Sequence, residues 1–205
     1  MQKTNNFIYV LKIFLPLLLI CALISGVVSG INFLTKDKIK ENEAFVEAAK
    51  FEKKKEIINE IYDSITYDDF SHVEAEKLPE GFDEIIYTID ANGDKIAAAT
   101  LTVKGYSKGL QVFVAYGSMG EILRVKIMAS NETTGIGSQV SDEKHLGGYE
   151  GKQGIVDFAD DKEDNLDKIA GATISSKAVL GAVNKATEAL LELDLIEITE
   201  KGANQ

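Results

Sequence analysis

The chain has 205 residues, and its 22 basic and 33 acidic side chains give a formal net charge of −11. Lys3 and Lys12 are the only charged residues before Lys36, so 20 basic and 33 acidic groups leave −13 on all that follows, a surface that repels nucleic acid and anionic lipid headgroups. Cys21 is the only cysteine, which excludes an intrachain disulfide, a Cys-x-x-Cys redox pair, a cysteine-held iron–sulfur cluster and a zinc ribbon.

Ile13 to Ile31 is an uncharged run of 19 residues. At ~1.5 Å rise per residue such a helix reaches about 28 Å, close to the ~30 Å hydrocarbon core of a bilayer. A secretory h-region is shorter, roughly 7–15 residues, and no small-x-small cleavage site follows, so residues 1–35 are expected to remain as a single-pass membrane anchor. Ile20 is too bulky for lipoprotein processing at Cys21. Lys3 and Lys12 on one side and Lys36, Lys38 and Lys40 on the other leave orientation open. Ala22, Gly26 and Gly30 form a small-residue face that lets another helix approach.

From Lys36 to about Tyr62 the chain is rich in Glu, Lys and Ala, with Ile39, Phe45, Val46, Ala49, Ile57, Ile58 and Ile61 at loosely helical spacing. A helical connector is expected over 36–75, and a globular domain over 76–205. The charge run Glu52 to Glu56 reads as a solvated face. After Pro79-Glu80-Gly81 the pattern turns to strands: Glu84–Asp90 and Lys95–Val103 flank the turn dipeptide Asn92-Gly93, and Leu110–Tyr116 and Ile122–Ala129 flank Gly117-Ser118-Met119-Gly120. In the last strand Leu123, Val125, Ile127 and Ala129 alternate with Arg124, Lys126 and Met128, which predicts a four-stranded antiparallel meander with one covered face. Asn131 to Glu150 lacks periodicity and reads as a long loop. Ala172 to Leu193 resumes helical spacing, its stripe of Val179, Leu180, Val183, Ala186, Ala189 and Leu190 supplying the cover. The fold class expected is α+β.

Several motifs fail on inspection. Gly135-Ile136-Gly137 lacks the third glycine and the βαβ setting of a dinucleotide loop, since Val140 stands where that glycine belongs. Asp90-Ala91-Asn92-Gly93-Asp94 has its glycine two places early for a calcium loop and no glutamate at the twelfth position. His72 and His145 stand 73 positions apart with no ligand spacing, so neither a metal site nor a catalytic residue is assigned.

The segment that carries chemistry is Asp167-Lys168-Ile169-Ala170-Gly171-Ala172-Thr173-Ile174-Ser175-Ser176. It presents a hydroxyl at a helix start among small residues, where free N–H groups and the positive end of the helix favour a phosphate. On spacing alone, Thr173, Ser175 and Ser176 can equally be plain helix caps.

This stretch resembles the flavinylation motif, approximately Asp-x-x-Ser-Gly-Ala-Thr-x-x-Ser, of the FMN-binding domains in the G subunit of the Rnf complex and the C subunit of the sodium-translocating NADH:quinone reductase. In those families a dedicated flavin transferase esterifies the threonine to the FMN phosphate. Asp167, Gly171, Ala172, Thr173 and Ser176 match, while Ala170 stands where Ser or Thr is usual. Glu132-Thr133-Thr134-Gly135-Ile136-Gly137 is similar to the family's Glu-Thr-Pro-Gly-Leu-Gly loop beside the flavin, with Thr134 in place of proline. Gly105-Tyr106 also fits the pattern.

The resemblance implies an antiparallel sheet covered by helices that carries FMN covalently on Thr173. It also implies an extracytoplasmic flavin domain that passes electrons inside a membrane complex exchanging them between ferredoxin and NAD while moving Na⁺ or H⁺. Flavin cofactors supply the redox chemistry that the lone cysteine cannot. The partners implied are the other membrane subunits and the transferase. A quinone-reductase C subunit, a stand-alone anchored flavin reductase and a non-redox scaffold with a vestigial motif remain as alternatives.

Overall fold

The computed structural model describes residues 3–62, 65–89, 93–135, 137–158, 166 and 168–198, with the backbone alone for 3–11. It divides into two compact units, Met1–Glu52 and Lys53–Gln205. The first is helical throughout its described length, as part of α1 (Lys3–Ile61). Its large apolar side chains between Ile13 and Leu34 are exposed, and by length and composition this helix is able to cross a membrane.

In the second unit the strands β1 (Ser71–His72), β2 (Phe82–Ile89), β3 (Lys95–Lys104), β4 (Lys108–Tyr116) and β5 (Ile122–Ala129) form one antiparallel sheet in chain order. The four strands expected from the alternation are present, and β1 adds a fifth at the edge. It is only two residues long and both are exposed, so it carries no hydrophobic alternation to detect. The turn between β2 and β3 includes Asp90, Ala91 and Asn92, which lie outside the described residues, but Ile89 pairs with Lys95 as a hairpin requires.

Both faces of the sheet are covered, not one. On the first face α3 (Thr173–Glu192) buries Val179, Ala182, Val183, Ala186 and Leu190 against Leu101, Leu110, Val112, Val114 and Tyr116. The Tyr116 hydroxyl lies 2.9 Å from Thr187 Oγ1 and donates to Val183 O at 3.1 Å. On the second face the last turns of α1, through Ile57 and Ile58, join Tyr67, Phe70, Ile86, Ala98, Phe113, Ala115 and Met128 in a separate cluster. The register of β5 explains why simple alternation misread it. Tyr116 pairs with Ile122 and Ala115 with Arg124, so a bulge at Leu123 puts Ile122 and Val125 on one face and leaves Leu123 half-buried. The expected loop after β5 contains a 3-10 turn, Gly137–Ser141, and the short helix α2 (Glu143–Gly147), both below the length at which periodicity is readable.

Glu84 ties the second face together. Its carboxylate accepts from Lys54 Nζ at 2.6 Å and Tyr67 Oη at 2.7 Å, with His72 Nδ1 at 3.1 Å. Burial pushes its pKa upward, but the hydrogen bonds from Lys54 and Tyr67 and the charges of Lys54 and His72 outweigh burial and hold it below the ordinary 4.5. A depressed folded pKa means that this stabilisation is present above the ordinary value and is lost as pH falls through the folded one. Glu84→Gln is therefore expected to destabilise the full chain at neutral pH by about 1–3 kcal/mol. Urea denaturation in detergent at a series of pH values should show the gap between variant and wild type closing as Glu84 protonates.

Candidate functional site

Three irregular segments meet at the end of the sheet where β4 begins. The first is the turn of residues 105–107 between β3 and β4, with Tyr106 at its tip, 68% exposed. The second follows β5. Here Ser138 N–H donates to Thr133 O at 3.2 Å, Gly135 N–H to Ser138 Oγ at 2.9 Å, and Gln139 Nε2 to Gly135 O at 2.8 Å. This closes a turn in which Gly135 has φ of +83°, a conformation that favours glycine.

The third segment leads into α3. Leu166 and Ala172 are buried, and Ala172 N–H donates to Ile169 O at 3.0 Å around Gly171, whose φ is +84°. Ser176 Oγ accepts from Ile169 N–H at 3.2 Å and donates to Ala172 O at 3.0 Å, locking the approach loop onto the first turn of the helix.

Glu132 joins the three segments. It is 9% exposed, with Oε1 accepting from Ser107 N–H at 3.0 Å and Oε2 accepting from Ser175 Oγ at 2.6 Å. Gly105 and Gly137 lie against this carboxylate so closely that a Cβ on either would collide with it; on Gly137 it would stand 2.6 Å from Oε2.

Between the segments opens a cleft of about 510 Å³ lined by Tyr106, Glu132, Thr133, Gly137, Gly171, Ala172, Thr173, Ile174 and Ser175. That volume falls within the roughly 300–1,000 Å³ of small-molecule sites. Thr173 is exposed on the cleft as the first residue of α3. Ala172 occupies the N-cap position with no side-chain cap, and the first turn holds no acidic residue. Ser176 N–H, donating to Ala172 O at 2.9 Å, makes the first bond back along the helix, so the N–H groups of Thr173, Ile174 and Ser175 precede the intrahelical ladder. The helix-cap reading of the serines does not hold, because Ser175 bonds Glu132 and Ser176 bonds Ala172 O.

Of the residues singled out in the sequence, Tyr106, Glu132, Thr133, Gly137, Gly171, Ala172 and Thr173 share the cleft lining. Thr134 and Gly135 are exposed in the adjoining turn, and Ser176 is fully buried beneath the helix start. Asp167 lies outside the described residues, as does Ile136. Sequence reasoning did not find the roles of Ile174, Ser175 and Ser107, since a lone serine or a backbone N–H has no signature until the loop that meets it is placed. His72 sits beside Glu84 on β1 and His145 lies in α2 against Tyr149. Among the described residues no cluster of potential metal ligands occurs.

Close packing around the carboxylate generates a test. Neither Gly105 nor Gly137 has a positive φ, so Gly105→Ala adds only volume and is expected to cost about 1–3 kcal/mol by overpacking. In a Glu132→Ala background the same change should cost markedly less, a non-additivity readable by urea denaturation of the four proteins.

The comparisons with known proteins bear on this cleft. The FMN-binding domain family matches residues 105–188, a span that includes every cleft-lining residue. A protein of Vibrio cholerae, named as the G subunit of an ion-translocating oxidoreductase complex, is 32% identical over 106 residues, covering 48% of this chain and 51% of the relative, so the matched region spans about half of that relative's length. Proteins of the same name are 27% identical in Vibrio atlanticus, over 80% of this chain and 82% of the relative, and in Haemophilus influenzae, over 84% of each. The crystal structure of Shewanella oneidensis NqrC aligns at 21% identity over 58% of this chain and 64% of that one, with a TM-score of 0.42. It is residues 105–188, the stretch that builds the cleft, that match the FMN-binding domain family.

Proposed function

We propose that this protein holds FMN in the cleft, esterified through its phosphate to Thr173 Oγ1, and serves as a membrane-anchored electron-carrier subunit of an ion-translocating ferredoxin:NAD oxidoreductase of the Rnf type. The observation that carries this reading is the exposed Thr173 hydroxyl at the start of an uncapped helix, inside a cleft of small-molecule size. The fit rests on the chemistry of the lining. Free N–H groups and the positive end of α3 suit a phosphate, stabilising it by roughly 0.3–1 kcal/mol. Exposed Tyr106 and Ile174 offer an aromatic and an aliphatic surface to a flat ring, and Gly137 and Gly171 let it come close to the backbone.

When bound, FMN supplies one- and two-electron chemistry that none of the side chains in this cleft supplies. The residues divide the remaining work. Thr173 tethers, the Ala170-Gly171-Ala172 turn leaves the hydroxyl accessible to a transferase, and Ser176 keeps that turn fixed. Thr133 contributes polar contacts at the rim. The exposed apolar helix of the first unit suits a bilayer, and the names of the relatives support a multi-subunit membrane complex as partner.

Co-expression with a flavin transferase should leave flavin fluorescence on the denatured band. Thr173→Ala should abolish it and Thr173→Ser should retain part of it, because serine keeps the nucleophilic hydroxyl. Asp167→Ala should reduce incorporation if that carboxylate orients the acceptor for the transferase. Denaturation-resistant flavin on the Thr173→Ala protein overturns the assignment.

On this reading the flavin domain faces outside the cytoplasm, as the family resemblance implies. With Cys21 replaced, an engineered cysteine near Asn92 should react with an impermeant thiol reagent in intact cells. Labelling only after lysis reverses the topology.

A further inference from the structure

We infer that the Glu132 carboxylate tunes the reduction potential of the cleft, acting as a fixed negative charge that disfavours electron uptake; this rests on the FMN reading above. Glu132 opens the loop that resembles the one beside the family's flavin, but both of its oxygens already accept hydrogen bonds from the protein, Oε1 from Ser107 N–H at 3.0 Å and Oε2 from Ser175 Oγ at 2.6 Å. The second bond has the length of a charge-assisted O–H···O⁻ contact, roughly 2.5–2.7 Å. Glu132 is also the only charged residue lining the cleft among those described. Its charge is offset by the two hydrogen-bond donors, Ser107 N–H and Ser175 Oγ, and by the positive end of α3.

A charge so placed acts on the cleft through its field. At 9% exposure it is screened less than a surface group, and the glycines at 105 and 137 prevent the side chain from being crowded out of position. Adding an electron to a group in the cleft brings a second negative charge toward the first, so the oxidised form is favoured and the potential is low. Ser175 opposes this effect, because its hydroxyl dipole points its proton at Oε2. Glu132 is thus a positioning and tuning residue, holding three loops together while setting how readily the site is reduced.

Glu132→Gln separates the charge from the shape. The amide oxygen still accepts from Ser107 N–H, and the amide nitrogen can donate to Ser175 Oγ. The full chain, co-expressed with a flavin transferase and held in detergent, is titrated spectroelectrochemically at neutral pH, and the midpoint is read on the loaded fraction. Glu132→Gln should raise the midpoint by a factor of at least ten in the reduction equilibrium, about 30 mV for a two-electron couple. Ser175→Ala removes a compensating donor and should move the midpoint the other way. A Glu132→Gln midpoint that is unchanged or lowered overturns the inference, as do shifts of the same sign in both variants, which general loosening of the cleft produces. Wild-type protein that acquires no flavin sinks the FMN reading itself, a result distinct from a loaded variant whose potential stays put.

Discussion

The 2.6 Å hydrogen bond from Ser175 Oγ to Glu132 joins two parts of the chain 43 residues apart, and the cleft depends on it. The cleft is walled by two turns and the start of α3 and not by a strand of the sheet. Each is held by a few local bonds, and the carboxylate connects them by taking one donor from the 105–107 turn and one from the first turn of α3. Hydrogen bonds to a charged group contribute roughly 1.5–3 kcal/mol, enough to help order short loops. The arrangement is tight: a Cβ at 105 or 137 would stand on the Glu132 carboxylate and force that side chain to shift.

The scaffold brings these loops together. β4 leaves the cleft at Lys108 and ends at Tyr116, whose hydroxyl meets Val183 O and Thr187 on α3. α3 likewise leaves the cleft at Thr173, so the two elements run the same way and their beginnings lie together. Asn184 adds a clamp midway, with Val156 N–H donating to its Oδ1 at 3.0 Å and its Nδ2 donating to Val156 O at 2.8 Å. Beyond the helix, Lys95 Nζ reaches Asp194 at 2.9 Å. With its far end held, α3 keeps its N-terminal N–H groups on the cleft without a cap of its own. That uncapped end is a local cost at a helix start, and it is what suits the cleft to an anion.

Much of this was legible in the sequence wherever the signal was periodic or chemical. β2 to β5 and α3 announced themselves through alternation and helical spacing, and the two motifs around Glu132 and Thr173 marked segments that the fold brings to one cleft. Less was legible where a short element or a long-range partner decided the outcome. β1 is two exposed residues and α2 is five, too few to carry a period. The bulge at Leu123 shifted which residues of β5 face α3, and no local pattern betrays a bulge. The second covered face was missed because Ile57 and Ile58 sit at the end of a long charged helix whose earlier turns are exposed. The matching motif residues also proved unequal. Thr173 opens on the cleft, whereas Ser176 is buried and acts by fixing the turn that presents Thr173.

The central claim is that Thr173 is the covalent acceptor, and mass mapping of that position tests it most directly. The full chain produced with a flavin transferase is denatured, stripped of loose flavin and digested with trypsin, and the peptide Ile169–Lys177 is weighed and fragmented. The account predicts that this peptide gains the mass of FMN less water and that fragmentation places the gain on Thr173. An unmodified peptide with all flavin released into the denaturant, or a gain placed on Ser175 or Ser176, would contradict it.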